Sequence, residues 1–88
     1  MRIQTTPNTT ITELANGGLT ILSPTGRVYA GNRMTAVMWV ALAAESGDPA
    51  AAAKDIARHY RVPATQVRAD LDHFVGALRG AGAITATP

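Results

Sequence analysis

The stretch Ile11-Thr12-Glu13-Leu14-Ala15-Asn16-Gly17-Gly18-Leu19-Thr20-Ile21-Leu22-Ser23-Pro24-Thr25-Gly26-Arg27-Val28-Tyr29-Ala30 decides the fold. Its runs 11–14 and 19–22 are rich in β-branched residues, and Asn16-Gly17 lies between them. Asn-Gly between short apolar runs is the strongest local hairpin signal, because the tight turn needs positive φ at its central residues. Ser23-Pro24-Thr25-Gly26 follows, with Pro second and Gly fourth, as a type I turn prefers. A third short strand over residues 27–30 stops at Gly31. The reading is a three-stranded antiparallel meander. Residues 1–8, with Pro7, Asn8 and several threonines, read as a loose lead-in.

Beyond the meander the period changes from two to that of a helix. Asn32 is a good N-cap, and Met34, Val37, Met38, Ala41, Leu42 and Glu45 recur at helical spacing. Gly47 ends that helix, and Asp48 with Pro49 starts the next as N-cap and first helical residue. The second helix places Ala53, Ile56, Ala57 and Tyr60 on one face and breaks at Arg61-Val62-Pro63. A third runs from about Ala64 to Arg79 with an apolar stripe of Val67, Leu71, Phe74, Val75 and Leu78, closed by Gly80 and Gly82. The expected fold is α+β in the order βββααα, one domain over residues 1–88.

Composition narrows the function. A chain of 88 residues has room for one thin core and no second domain. Its apolar fraction of 47% argues against disorder. Cysteine is absent, which excludes disulfides and thiolate metal sites. The apolar stretch 36–44 is about half a membrane span, and no signal-like segment follows Arg2, so a cytoplasmic protein is expected. Positive charge does not gather on a helix. Arg2, Arg27 and Arg33 face only Glu13 in the first third, whereas Lys54, Arg58, Arg61, Arg68 and Arg79 are balanced by Glu45, Asp48, Asp55, Asp70 and Asp72. A nucleic-acid surface would concentrate cations where phosphate lies.

Enzyme readings fail on the same residues. His59 and His73 lack metal-ligand spacing, and Asp55 with His59 reads as a surface pair. No nucleophile motif and no phosphate loop is present; Gly80-Ala81-Gly82 follows a helix instead of opening one. No cofactor, no metal and no catalytic residue is expected. The edges of the meander are more informative. Proteins protect such rims with charges, Pro or short length. The first strand has Pro7 before it and Glu13 inside it, but Val28-Tyr29-Ala30 has neither. An extended peptide could join it as a fourth strand.

The run Gly26-x-x-Tyr29-x-Gly31-Asn32-(x)6-Trp39 resembles the PqqD-like pattern G-x-x-Y-x-L-N-(x)6-W. Downstream, Ala53, Ile56-Ala57, Tyr60, Val62, Val67, Asp70-Leu71, Phe74-Val75, Leu78 and Gly82 fit its second half, so the resemblance spans about residues 10–85. It implies a precursor-peptide recognition element of ribosomally made, post-translationally modified peptides. The implied fold is winged-helix-like, and the leader of the precursor would join the sheet beside the third strand and lie against the third helix. The Ala-rich segment after Asp48-Pro49 and the stand-alone length look most like the leader-binding proteins of lasso-peptide pathways. Those work with a separate leader peptidase, a transglutaminase-like cysteine protease, and a cyclase. Two departures stand out. Gly31 replaces the usual Leu, so a core side chain is expected to be missing, and Thr35 replaces a common Gly; neither is placed in the groove.

On this resemblance the peptide-binding set is Arg27, Val28, Tyr29 and Ala30 on the strand with Val67, Asp70, Leu71, Phe74 and Ala77 on the helix. Val67 and Phe74 would form an apolar pocket and Asp70 an acceptor. Leu71, Val75 and Leu78 also read as core, and Trp39 as a core anchor. The backbone of residues 28–30 is a better candidate than any side chain there. Two rivals share the outline. A winged-helix DNA-binding domain would send the third helix into the major groove, against its mixed charges Arg68, Asp70, Asp72, His73 and Arg79. A dimerisation module would pair through the third strand.

Overall fold

The computed structural model describes residues 2–87. Its elements in order are β1 (Arg2–Thr5), β2 (Thr10–Glu13), β3 (Leu19–Leu22), β4 (Val28–Gly31), α1 (Arg33–Ala44), α2 (Pro49–Tyr60), α3 (Ala64–Gly80) and β5 (Ile84–Thr87). The meander forms as β2-β3-β4, with Ile11 opposite Ile21 and Ile21 opposite Tyr29. Its turns follow from their residues. Gly17 has φ +89°, and the Asn16 side chain accepts from the Gly18 N–H at 2.9 Å. At the second turn Ser23 Oγ accepts from the Arg27 N–H at 3.1 Å.

The βββααα order is incomplete. Residues 2–5 are not a loose lead-in; they form β1, which pairs antiparallel with β5 in a separate two-stranded sheet. Arg2 lies opposite Thr87, 85 positions away, so no local turn signal links the two strands. The strands are seated by the helices. Ile3 donates its N–H to the Gly47 carbonyl at 2.8 Å, and Thr6 donates to the Ala83 carbonyl at 2.9 Å. Gly47 has φ +82°, and a Cβ there would lie 2.2 Å from the Ile3 carbonyl oxygen. That glycine therefore does more than end α1: it lets β1 approach.

The helices begin and end where their caps stand. Asn32 Oδ1 accepts from the Thr35 N–H at 3.1 Å, and Asp48 Oδ1 from the Ala50 N–H at 3.0 Å. At the end of α3 the Ala83 N–H reaches back to the Leu78 carbonyl and the Gly82 N–H to that of Arg79. This is a Schellman closure around Gly82 at φ +77°. The core joins Leu19 and Ile21 of the sheet to Met38 and Leu42 of α1, Ile56 of α2, and Leu71, Phe74, Val75 and Leu78 of α3. Tyr60 departs from the expected buried face of α2. It is 47% exposed and its ring meets His59 edge-on at 4.9 Å.

The pair Gly31 and Thr35 also reads differently in three dimensions. A Cβ on Gly31 would lie 2.3 Å from Thr35 Cγ2, and Thr35 is buried. The helix thus supplies the methyl group that fills the space beside the strand. The two departures offset each other, since Thr35 stands where a side chain on Gly31 would begin.

Candidate functional site

Strand β4 is the last of its sheet, so one of its edges is unpaired. Antiparallel pairing alternates residues that bond to the neighbour with residues that bond outward. The Ser23 N–H donates to the Arg27 carbonyl at 2.8 Å, which makes Ser23 and Arg27 a bonded pair. Two residues on, Tyr29 therefore turns its N–H and C=O inward to Ile21. Val28 and Ala30 turn theirs out to the free edge. Their side chains lie on the open face of the sheet, where Val28 is 63% exposed. Tyr29 and Gly31 point to the core side with Ile21 and Leu19.

Side chains link helix α3 to β4 and to the residue before it. Near one end Arg27 Nη1 donates to the Gly80 carbonyl at 3.4 Å, placing a cation at the negative end of the helix dipole. In the middle the Tyr29 and Phe74 rings meet with centroids 5.5 Å apart and planes at 57°. A depression of about 260 Å³ opens there, with Tyr29, Met34, Met38 and Phe74 as its apolar part and Thr35, Asp70 and His73 among its polar lining. Asp70 is exposed and has no ion-pair partner among the described residues. Its helical neighbours Arg68 and Asp72 are taken up by each other at 2.9 Å.

This geometry brings together Tyr29, Asp70 and Phe74 and puts the backbones of Val28 and Ala30 alongside. Other members of the sequence-derived set fall elsewhere. Leu71 is fully buried in the core, and Val67 and Phe74 are buried with it, Phe74 alone of the three also lining the depression. Ala77 is partly buried and does not line it, and Arg27 closes the far end through Gly80. Sequence reasoning left out Asn32, Met34, Thr35, Met38 and His73, which complete the wall. The N-cap at Asn32 carried the signal, since a helix separated from β4 by that single residue must set its first turn against the strand's end. Thr35 thus belongs to the candidate groove, contrary to its expected place outside it.

Asp55 bonds to Arg58 at 2.7 Å, so the expected pairing of Asp55 with His59 gives way to a shorter-range one. Among the described residues no cluster of three or more His, Cys, Asp or Glu side chains is placed to hold a metal ion. No described helix is long and apolar enough to cross a membrane.

Over residues 18–84 the chain matches the family described as Coenzyme PQQ synthesis protein D (PqqD). Among solved structures, TbiB1 in complex with the TbiA(beta) leader peptide matches with a TM-score of 0.80 and 19% identity, covering 97% of this chain and 98% of that one. A comparison with curated proteins gave no match.

Proposed function

This chain belongs to the PqqD family, and on that premise we propose that it is a recognition protein for the leader segment of a ribosomally made precursor peptide. The leader adds as a strand to the free edge of β4, bonding to the outward N–H and C=O groups of Val28 and Ala30. One apolar leader side chain enters the depression between Tyr29, Met38 and Phe74. Asp70, open and unpaired, accepts from a leader hydroxyl or basic group at its rim. The protein itself breaks no bond and uses no cofactor. It hands the precursor, in the cytoplasm, to a separate leader peptidase of a lasso-peptide pathway, ahead of a cyclase.

The observation that carries this reading is an unprotected sheet edge lying beside a receiving wall. A free edge supplies affinity without sequence selection, and the adjoining depression supplies selection. The likeness to TbiB1, whose structure was solved with a leader peptide, supports the same direction. The test is fluorescence anisotropy of a labelled leader, taken from the precursor encoded beside this protein, with duplex DNA as the parallel probe. Saturable leader binding that changes little with salt is expected, with no DNA response. A silent leader together with steeply salt-dependent DNA binding would overturn the reading in favour of nucleic-acid recognition.

A further inference from the structure

Helix α1 turns Thr35, Met38 and Leu42 into the core. Its outer ridge is Ala36, Val37, Val40, Ala43 and Ala44, and Val40 is 62% exposed. Val40 lines both the hollow between α1 and α2 and the hollow between α1 and the β2–β3 hairpin, which makes it the crest of that ridge. From Met34 to Ala44 the helix carries no charged residue. A solvated helix face is normally polar, so this one lacks its cover.

The two ends of α1 say what covers it. A helix start is electropositive and favours carboxylates, whereas a helix end favours cations. Helix α1 has the reverse. It begins with Arg33 and no acidic residue in its first turn, and its C-cap is Glu45 with no basic residue in its last turn. Helix α2, by contrast, has Asp48 at its N-cap and Arg58 and His59 in its last turn. Arg33 is exposed, lies against Gly17, and has no ion-pair partner among the described residues. At the other end Glu45 stands among carboxylates. A hydrogen bond with Asp55 and the charges of Asp55 and Asp48 raise its pKa above 4.5, against a lesser opposing effect of Arg58. Arg58 itself is held by Asp55 at 2.7 Å. Each end of α1 thus carries a charge that its own helix disfavours, and each wants the counter-ion that stands at the opposite end.

We propose that α1 packs antiparallel against α1 of a second copy of this chain, across a two-fold axis near Val40, with each Arg33 facing the other copy's Glu45. A two-fold contact must be self-complementary, and this ridge is. Val40 lies close to the midpoint between residues 33 and 45, so Ala36 and Val37 of one copy meet Ala44 and Ala43 of the other. Small side chains there let the two helices approach to the near end of the usual ~8–10 Å separation. A parallel arrangement would set Arg33 on Arg33 and Glu45 on Glu45. The charges of the flanks, Glu13 on one side and Asp55, Arg58 and Arg61 on the other, line the hollows and leave the crest uncharged. None of the five ridge residues lines the depression beside β4, so the inference stands apart from the leader-recognition reading.

Sedimentation equilibrium of the whole chain over a range of concentrations tests it. The wild-type mass is expected to rise reversibly from one chain towards two. Val40→Asp sets two like charges face to face on the axis, and should raise the dimer dissociation constant about a hundredfold or more while circular dichroism stays that of the folded protein. Arg33→Glu and Glu45→Arg should each weaken the dimer roughly three- to tenfold, since each removes two ion pairs per dimer. Each should also raise the melting temperature of the monomer, because each suits the helix dipole. The double variant should regain wild-type dimerisation. Residues 33 and 45 are about 18 Å apart along one helix, so this rescue requires a second copy. A wild type that stays monomeric up to ~1 mM would overturn the proposal. So would a dimer that Val40→Asp leaves intact, or a double variant that dimerises no better than either single one. A dimer abolished by Ala30→Pro and untouched by Val40→Asp would place the pairing at β4 instead and equally overturn it.

Discussion

The meander ends in two free edges, β2 and β4, and they are not alike. At β2 all four residues are exposed, and the outward-bonding positions, Ile11 and Glu13, include a carboxylate. At β4 the outward positions are Val28 and Ala30, uncharged, and Tyr29 on the inner side leans on Phe74 of α3. A charge on an edge discourages strand addition. An uncharged edge beside a helix invites it. The difference teaches that unpaired backbone alone is not a site; on the proposed reading, an adjoining wall able to select among peptides turns an edge into one.

The largest effect should come from the wall. Phe74 is 1% exposed and packs against both Tyr29 and the core. Phe74→Ala should remove about 3–5 kcal/mol of stability, a large part of the roughly 5–15 kcal/mol a domain has. A chemical denaturation curve checks this, and Phe74→Leu is the better variant for binding studies. With Leu, affinity for the leader should drop several-fold while the fold persists.

Next comes the edge itself. Ala30→Pro removes an outward N–H that β3 does not use, so the meander should survive. Leader affinity should fall roughly tenfold or more, from one lost main-chain bond and a ring in the path of the incoming strand. Ile11→Pro makes the same change at the other edge and should leave affinity unchanged. Equal losses from both would erase the contrast between the edges. Tyr29→Pro should instead destabilise the fold, because that N–H is committed to Ile21. Thermal melts separate the two outcomes.

The turns and caps that set these edges were legible locally. Asn16-Gly17, Pro24 with Gly26, Asn32 and Asp48-Pro49 each act through their own backbone conformation or a side chain two or three residues away. The β1–β5 ribbon was not. Its four-residue strands meet only because the helices return the chain to its start, and Gly47 makes room for Ile3 by a contact no spacing rule encodes. The candidate site was legible in the same measure. Tyr29, Asp70 and Phe74 are named through the family resemblance, with helical spacing placing Asp70 and Phe74 toward one side of the third helix. Thr35 and His73 enter only when α1 and α3 converge on the end of β4. Leu71 shows the reverse case: a stripe position that spacing leaves ambiguous and packing assigns to the core.

A smaller effect should come from the rim of the depression. Asp70→Asn keeps shape and loses charge, so leader affinity should fall by roughly threefold, more if the leader group it meets is basic. Isothermal titration at two salt concentrations would separate these cases.

The smallest should lie far from both edges. The Asp55 carboxylate raises the pKa of Glu45 above its ordinary 4.5, first by a carboxyl–carboxylate hydrogen bond and then by charge repulsion. A raised value means the folded state holds the proton more tightly than the unfolded chain. Stability from this group is thus fully present below the ordinary value and is lost as pH rises through the raised one. Glu45→Gln should raise the melting temperature slightly at about pH 7 and not at about pH 4. Leader affinity should be indifferent to it at both.

The central claim is that the leader docks on the free edge of β4. Amide hydrogen exchange, read residue by residue with and without the leader peptide, tests it most directly. The account predicts that the Val28 and Ala30 amides, open in the free protein, become protected when leader is bound, while those of Ile11 and Glu13 exchange as before. Protection at β2, or binding that leaves the Val28 and Ala30 amides open, would contradict it.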